Sequence, residues 1–297
     1  MVNTGGQAVI RPTNTPETSI RRIRTVGIAL GGGGARGLAH IPMLEALDEL
    51  GVRPTILAGT SMGAIFAAAY ASGLSGREIH EATTETLRDR RGVLRKLLEA
   101  RAGRLSDLFS RFANPVLIDP VAFCDLFLPE AVALTFAECS IPLKVIAADF
   151  YGRKETLFES GSVRKAVAAS IAIPGLIRPV EHEGRLLIDG GAVNPVPFDH
   201  LQGLAEIIVA VDVTGGPIAT TPSSPPGPWD TLLGATQVMQ HAIIEAKLTQ
   251  VRPDILIRPN VDLFRALDFF QASVILRLSL PAKEELKRKL GVLLDIG

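Results

Sequence analysis

The sequence predicts an α/β fold: a mostly parallel sheet covered by helices and carrying a helical cap insertion. Three observations predict it. Two strand–glycine turn–helix units follow one another between residues 25 and 73, a long amphipathic stretch comes next, and short apolar strand patterns then resume. Alternation of strand and helix periods argues for parallel strands joined by covering helices. In order, TVGIAL at 25–30 reads as a strand, four glycines as a loop, and HIPMLEALDEL as a helix with Ile41, Leu44, Leu47 and Leu50 on one side and Gly51 as its stop. A second strand is expected at 54–58, a tight turn at 59–63, and a small-residue helix ending at Gly73. The cap runs from about 77 to 140, with leucines and phenylalanines on helical spacings. Strands are expected again at 143–150, 185–191 and 206–214, with a helix at 164–173. GGPIATTPSSPPGP at 215–228 reads as a mobile loop, followed by a helix at 229–250, a strand at DILIRP and helices to the end.

Composition narrows the function classes. The 297 residues are 47% hydrophobic and 21% charged, a balance that supplies one sizeable core. Thirty-one basic and 31 acidic residues cancel, so no nucleic-acid partner is implied by global charge. The longest apolar run, Ala64 to Ala71, is far short of the roughly 20 residues a spanning helix needs. Residues 1–22 read as a flexible leader, with polar and Pro residues where a secretory signal would be apolar; the expectation is a cytoplasmic protein with one domain over 23–297. Cys124 and Cys139 read as small buried hydrophobes, and neither a metal nor a cofactor is expected.

Gly59-Thr60-Ser61-Met62-Gly63 is a G-x-S-x-G placed where a strand turns into a helix. A nucleophile elbow needs that context, because only small residues on either side let strand and helix approach closely around an exposed serine. The same glycines also suit a plain turn with a bystander serine. Gly31 to Gly37 (GGGGARG) lies between another strand and helix, where free amides favour negative charge and could form an oxyanion hole. A dinucleotide fingerprint fits its glycines but lacks the acidic residue at the end of the second strand, and a Walker loop lacks its lysine. None of His40, His80, His182, His200 and His241 has a catalytic context; His40 reads as a cap or packing residue. Asp189, delivered by Leu187-Ile188 to Gly190-Gly191, is a candidate base or a turn-forming Asp.

These motifs, in this order, resemble those of patatin-like phospholipases, and Ala169-Ser170-Ile171-Ala172-Ile173-Pro174 resembles the A-S-x-x-x-P block of bacterial members. The similarity runs from about Val26 to Asp212. It implies a three-layer α/β/α fold and a Ser-Asp dyad without histidine that cleaves acyl esters of lipids. Ser61 is then the nucleophile and Asp189 its base, with the amides of Gly32, Gly33 and Gly34 as oxyanion hole and Arg36 as the loop's basic residue. Gly59, Gly63, Gly190 and Gly191 support the elbow and turn. The implied substrate is a phospholipid, a lysophospholipid or a simpler ester. The alternatives are an acyltransferase or a non-catalytic lipid-binding module on the same fold.

Within the cap, residues 87–111 carry eight basic against three acidic residues, an excess of five, interleaved with Leu94, Leu97, Leu98, Leu105, Leu108 and Phe109. Such a segment either lies on an anionic membrane surface, here the inner membrane face, or presents a solvated charged face over a packed helix.

Overall fold

The structure, a computed structural model, describes residue 1 and residues 24–101, 117–217 and 227–296. Most of the leader, part of the cap and most of the Pro-rich loop lie outside the described residues.

The chain begins with β1 (Val26–Leu30), a 3₁₀ turn (Gly34–Ala39) and α1 (His40–Glu49), then β2 (Ile56–Thr60) and α2 (Met62–Ala71). The cap region contributes α3 (Gly76–Arg88), α4 (Arg90–Arg101) and α5 (Pro120–Phe127). Ser75 and Glu78 close a reciprocal capping box on α3, and Asp119 caps α5. The sheet resumes with β3 (Leu143–Asp149) and β4 (Lys154–Phe158), followed by α6 (Val163–Ser170), β5 (Val180–His182), β6 (Arg185–Asp189) and β7 (Ile207–Val211). Then come α7 (Pro228–Gln250), β8 (Ile255–Ile257), α8 (Ala272–Leu278) and α9 (Leu280–Leu294).

The strands pair in the order β5-β6-β3-β2-β1-β7-β8, with β4 on β3. The β1–β2, β1–β7, β2–β3 and β7–β8 pairs are parallel; those involving β4, β5 and β6 are antiparallel. β4 and β5 have no counterpart in the sequence expectation, because KETLF is half polar and VEH is a three-residue edge strand. The second strand also reaches Thr60, two residues beyond its expected end.

Side-chain alternation divides the core into two layers. Val26, Ile28, Leu30, Leu57, Val209 and Val211 join the cluster formed with α1, α2, α6 and α9. Ala29, Ala58, Ile208 and Ala210 face the other way, against Phe198, Leu201 and Ile244 of α7. A strand turns successive side chains to opposite faces, so a sheet buried on both sides shows continuous apolar runs. The described helices therefore flank the sheet on both faces.

Candidate active site

Strand β3 aligns the two principal site residues. Its Val145 and Ile146 pair with β4 on one edge, so β2 and β6 must share the other edge. β2 ends there at the Thr60–Ile146 pair, and β6 arrives antiparallel with Asp189 opposite Ala147. The end of one strand thus meets the end of another, and Ser61 and Asp189 come together from 128 residues apart, with Ser61 Oγ donating to Asp189 Oδ2 at 2.7 Å.

Ser61 occupies φ 54°, ψ −125°, left-handed backbone that a side chain disfavours by about 1–3 kcal/mol. Neighbouring contacts hold it there. A Cβ at Gly63 would lie 2.1 Å from the Leu30 carbonyl oxygen, and one at Gly59 2.6 Å from Ala64 Cα. The Ser61 amide donates to Ser170 Oγ at 2.8 Å, and that hydroxyl donates in turn to the Ile146 carbonyl. Thr60 Oγ1 donates to the Asn194 carbonyl at 2.8 Å, tying the elbow to the chain after Asp189.

Asp189 is buried, and burial pushes its carboxyl up to about 6 against the opposing pull of the Ser61 hydroxyl and Gly191 amide. Its second oxygen accepts from the Gly191 amide at 2.7 Å, and its own amide donates to the Ala172 carbonyl at 2.9 Å. Gly190 sits where a Cβ would lie 2.2 Å from the Ile146 oxygen. No histidine among the described residues bonds Ser61. His40 Nε2 bonds the Gly31 carbonyl at 2.7 Å, and burial lowers its pKa to about 4, leaving it a neutral prop for the glycine loop.

In that loop the Gly32 amide, expected among the oxyanion donors, already donates to the Pro195 carbonyl at 2.9 Å, and the Ala35 amide to the Ala266 carbonyl at 2.7 Å. Between them, the Gly33 and Gly34 amides have no hydrogen-bond partner among the described residues, at the start of the 3₁₀ turn where amides have no helical acceptor. Arg36 is buried with its guanidinium turned into the protein. Its Nε donates to the Val213 carbonyl at 3.1 Å and Nη1 to the Phe264 carbonyl at 2.9 Å. With its oxygen facing the guanidinium, the Gln237 amide accepts from both Nη atoms at 2.7 Å. Desolvation lowers the Arg36 pKa to about 10, so it stays charged at neutral pH as an internal brace for the loop.

A narrow slot opens beside Ser61 and Gly34, walled by Met62, Phe123, Ile171, Ile173, Leu267 and Phe269. Its lining is apolar with the Ser61 hydroxyl at one end, and its free volume of about 10 Å³ is no more than a single water needs. Sequence reasoning missed the roles of Ser170 and Thr60. Ser170 stands in the A-S-x-x-x-P block, but nothing in a spacing of 109 residues shows that its hydroxyl meets the elbow amide. Among the described residues no group of three acidic, His or Cys side chains could hold a metal ion, and no helix is long and apolar enough to cross a membrane.

A family model described as patatin-like phospholipase matches residues 28–201. The chain is 35% identical over 195 residues to an uncharacterized NTE family protein of Mycobacterium bovis, covering 64% of this chain and 49% of that protein. It is 33% identical over 199 residues to lysophospholipase nte1 of Aspergillus fumigatus, covering 64% of this chain and 12% of that protein. The chain thus spans about half the length of the mycobacterial relative and far less of the fungal one. Among solved structures it is similar to VipD from Legionella pneumophila, with a TM-score of 0.46 and 14% identity over 90% of this chain and 67% of that chain.

Proposed function

This chain belongs to the patatin-like phospholipase family, and from that premise we propose that it is a serine acyl-ester hydrolase working through Ser61 and Asp189. Ser61 Oγ attacks the ester carbonyl while its proton passes to Asp189 Oδ2. The Gly33 and Gly34 amides donate to the oxyanion, and loss of one such donor typically costs about 10²–10³ in rate. Collapse expels the alcohol, which takes the proton from Asp189, leaving an acyl group on Ser61. Water then gives its proton to Asp189, attacks the acyl carbonyl, and releases the carboxylic acid as the proton returns to Ser61.

The single observation that carries this reading is the 2.7 Å hydrogen bond between a serine at a strained elbow and a buried carboxylate of raised pKa. A carboxylate near 6 is a far better base than an ordinary one and is still ionised at neutral pH. The apolar slot supports fatty acyl esters of phospholipids, lysophospholipids or simpler alcohols as substrates, and the lysophospholipase name of the fungal relative agrees with that class. The enzyme would meet them from the cytoplasm, at the inner membrane surface. An acyltransferase would share the acyl-enzyme and differ only in the alcohol that resolves it; a non-catalytic module would have no use for the strained pair. A fluorophosphonate probe tests the proposal: labelling is expected at Ser61 in the native chain, none in Ser61→Ala, and much slower labelling in Asp189→Asn. Equal labelling of all three proteins would overturn it.

A further inference from the structure

Outside the catalytic pair, α4 leaves an apolar face uncovered among the described residues. On α4, Val93 is buried and Leu97 and Ala100 pack against the core, which fixes the inward side of the helix. Leu94 and Leu98 point away from it, each 53% exposed. At 3.6 residues per turn, Arg90, Leu94, Leu98, Arg91 and Arg95 fall in that order across an arc of about 140°. Asp89 lies outside that arc, and Glu99 lies at its edge, 3.8 Å from Arg95 Nε. From Arg88 to Arg101 the sequence carries six basic and two acidic residues, an excess of four.

This face reaches the slot through Arg90. Its Nη2 donates to the Phe270 carbonyl at 3.2 Å, and its guanidinium carbon lies 5.4 Å from the centre of the Phe270 ring. Phe270 is exposed, its neighbour Phe269 packs on Phe123 and Phe127 of α5, and Leu267 lines the slot while remaining 47% exposed. Exposed leucines, a basic surround and the slot mouth therefore form one continuous strip.

We propose that this strip, Leu94 and Leu98 with Arg90, Arg91 and Arg95 and the Leu267–Phe270 rim, docks on an anionic phospholipid surface and presents the slot to it. The leucines enter the headgroup region and the arginines pair with lipid phosphates, with Leu267 and Ser61 of the slot turned toward the same surface. Charge complementarity selects this occupant. A second copy of the chain would bring the same basic arc against itself, with Glu99 at its edge as the one acidic residue beside it and already paired with Arg95. The inference rests on the acyl-ester reading only for the direction of the slot; the docking itself is independent of turnover.

The test combines vesicle co-sedimentation with hydrolysis of a soluble short-chain p-nitrophenyl ester. Binding of the full chain to phosphatidylcholine vesicles is expected to rise steeply when phosphatidylglycerol is included and to fall with salt. Replacing Arg91 and Arg95 together with Gln removes two charges and is expected to lower partitioning by roughly 30-fold on anionic vesicles. Leu94→Gln with Leu98→Gln is expected to lower it at least about tenfold at every salt concentration. Soluble-ester hydrolysis should be unchanged in both variants, showing that the fold and slot are intact. Equal vesicle binding by the native chain and both variants would overturn the proposal, and so would a concentration-dependent dimer abolished by the leucine double variant. Intact docking without soluble-ester hydrolysis in the native chain would instead sink the hydrolase reading.

Discussion

Asp189→Asn tests whether burial tunes the proposed base, because it should change stability and activity in opposite directions with one shared pH midpoint. The carboxyl stands at about 6 in the fold against an ordinary 3.8. A folded pKa above the unfolded one means that the folded state favours the protonated form. The contribution to stability is fully present below about 3.8 and is lost as pH rises through 6. Two units correspond to an upper bound of about 3 kcal/mol against the folded native chain at pH 8. Asparagine keeps an oxygen for the Gly191 amide and a group for Ser61 Oγ, and it never ionises. If half the upper bound is realised, the variant should melt about 3–6 °C above the native chain at pH 8. Near pH 4 that advantage should vanish. Catalysis should move the other way, with kcat/KM for a soluble ester falling about 10²–10⁴-fold on loss of the base. The native kcat/KM should rise with pH around a midpoint near 6. Melting curves and initial rates across pH 4–9 measure both. A rate limb at about 4, an Asn variant melting below the native chain at pH 8, or a limb removed by His40→Gln would refute the reasoning.

Ser170→Ala should leave the Ser61 amide and Ile146 carbonyl without their shared partner, destabilising the fold by about 1–3 kcal/mol in urea unfolding. It should also lower kcat more than it raises KM, since the elbow rather than the slot is disturbed. Gly63→Ala forces a methyl to 2.1 Å from the Leu30 oxygen, so either strand or helix must move. Thermal unfolding should show a loss of at least about 1–3 kcal/mol, and fluorophosphonate labelling should nearly disappear. Arg36→Met keeps the volume but strands two carbonyls, and kcat should fall as the glycine loop loosens, with the slot's affinity for substrate little altered. EDTA should not affect ester hydrolysis, because the proposed proton path runs only between Ser61 and Asp189; activity lost to chelator and restored by calcium would contradict that.

Local chemistry made much of this molecule legible from sequence. The first strand, its glycine loop and the helix after it could be read because an apolar run, a glycine cluster and a 3.6-residue period each have local causes. The elbow was legible for the same reason: G-x-S-x-G at a strand-to-helix turn is one compact conformational demand, and Ser61 at φ 54° meets it. Whether Asp189 meets Ser61 was a different kind of question, and its sequence context left it open. That depended on β3, whose one edge takes β2 and then β6 in line, and on β6 running antiparallel, which local alternation of strands and helices cannot signal. β4, half polar because only its alternate residues Thr156 and Phe158 are buried, escaped notice although it leaves β3 only that one edge for both. The conversion of the Gly32 amide from expected donor to a bond with Pro195, the inward turn of Arg36 and the bridge through Ser170 are likewise contacts between distant segments. Propensity and periodicity act over a few residues, whereas pairing edges, desolvation and the sharing of hydrogen-bond partners exist only once the whole chain is packed. Sequence alone therefore determined which residues could do chemistry here, and tertiary packing decided which atoms face one another and how strongly burial alters them.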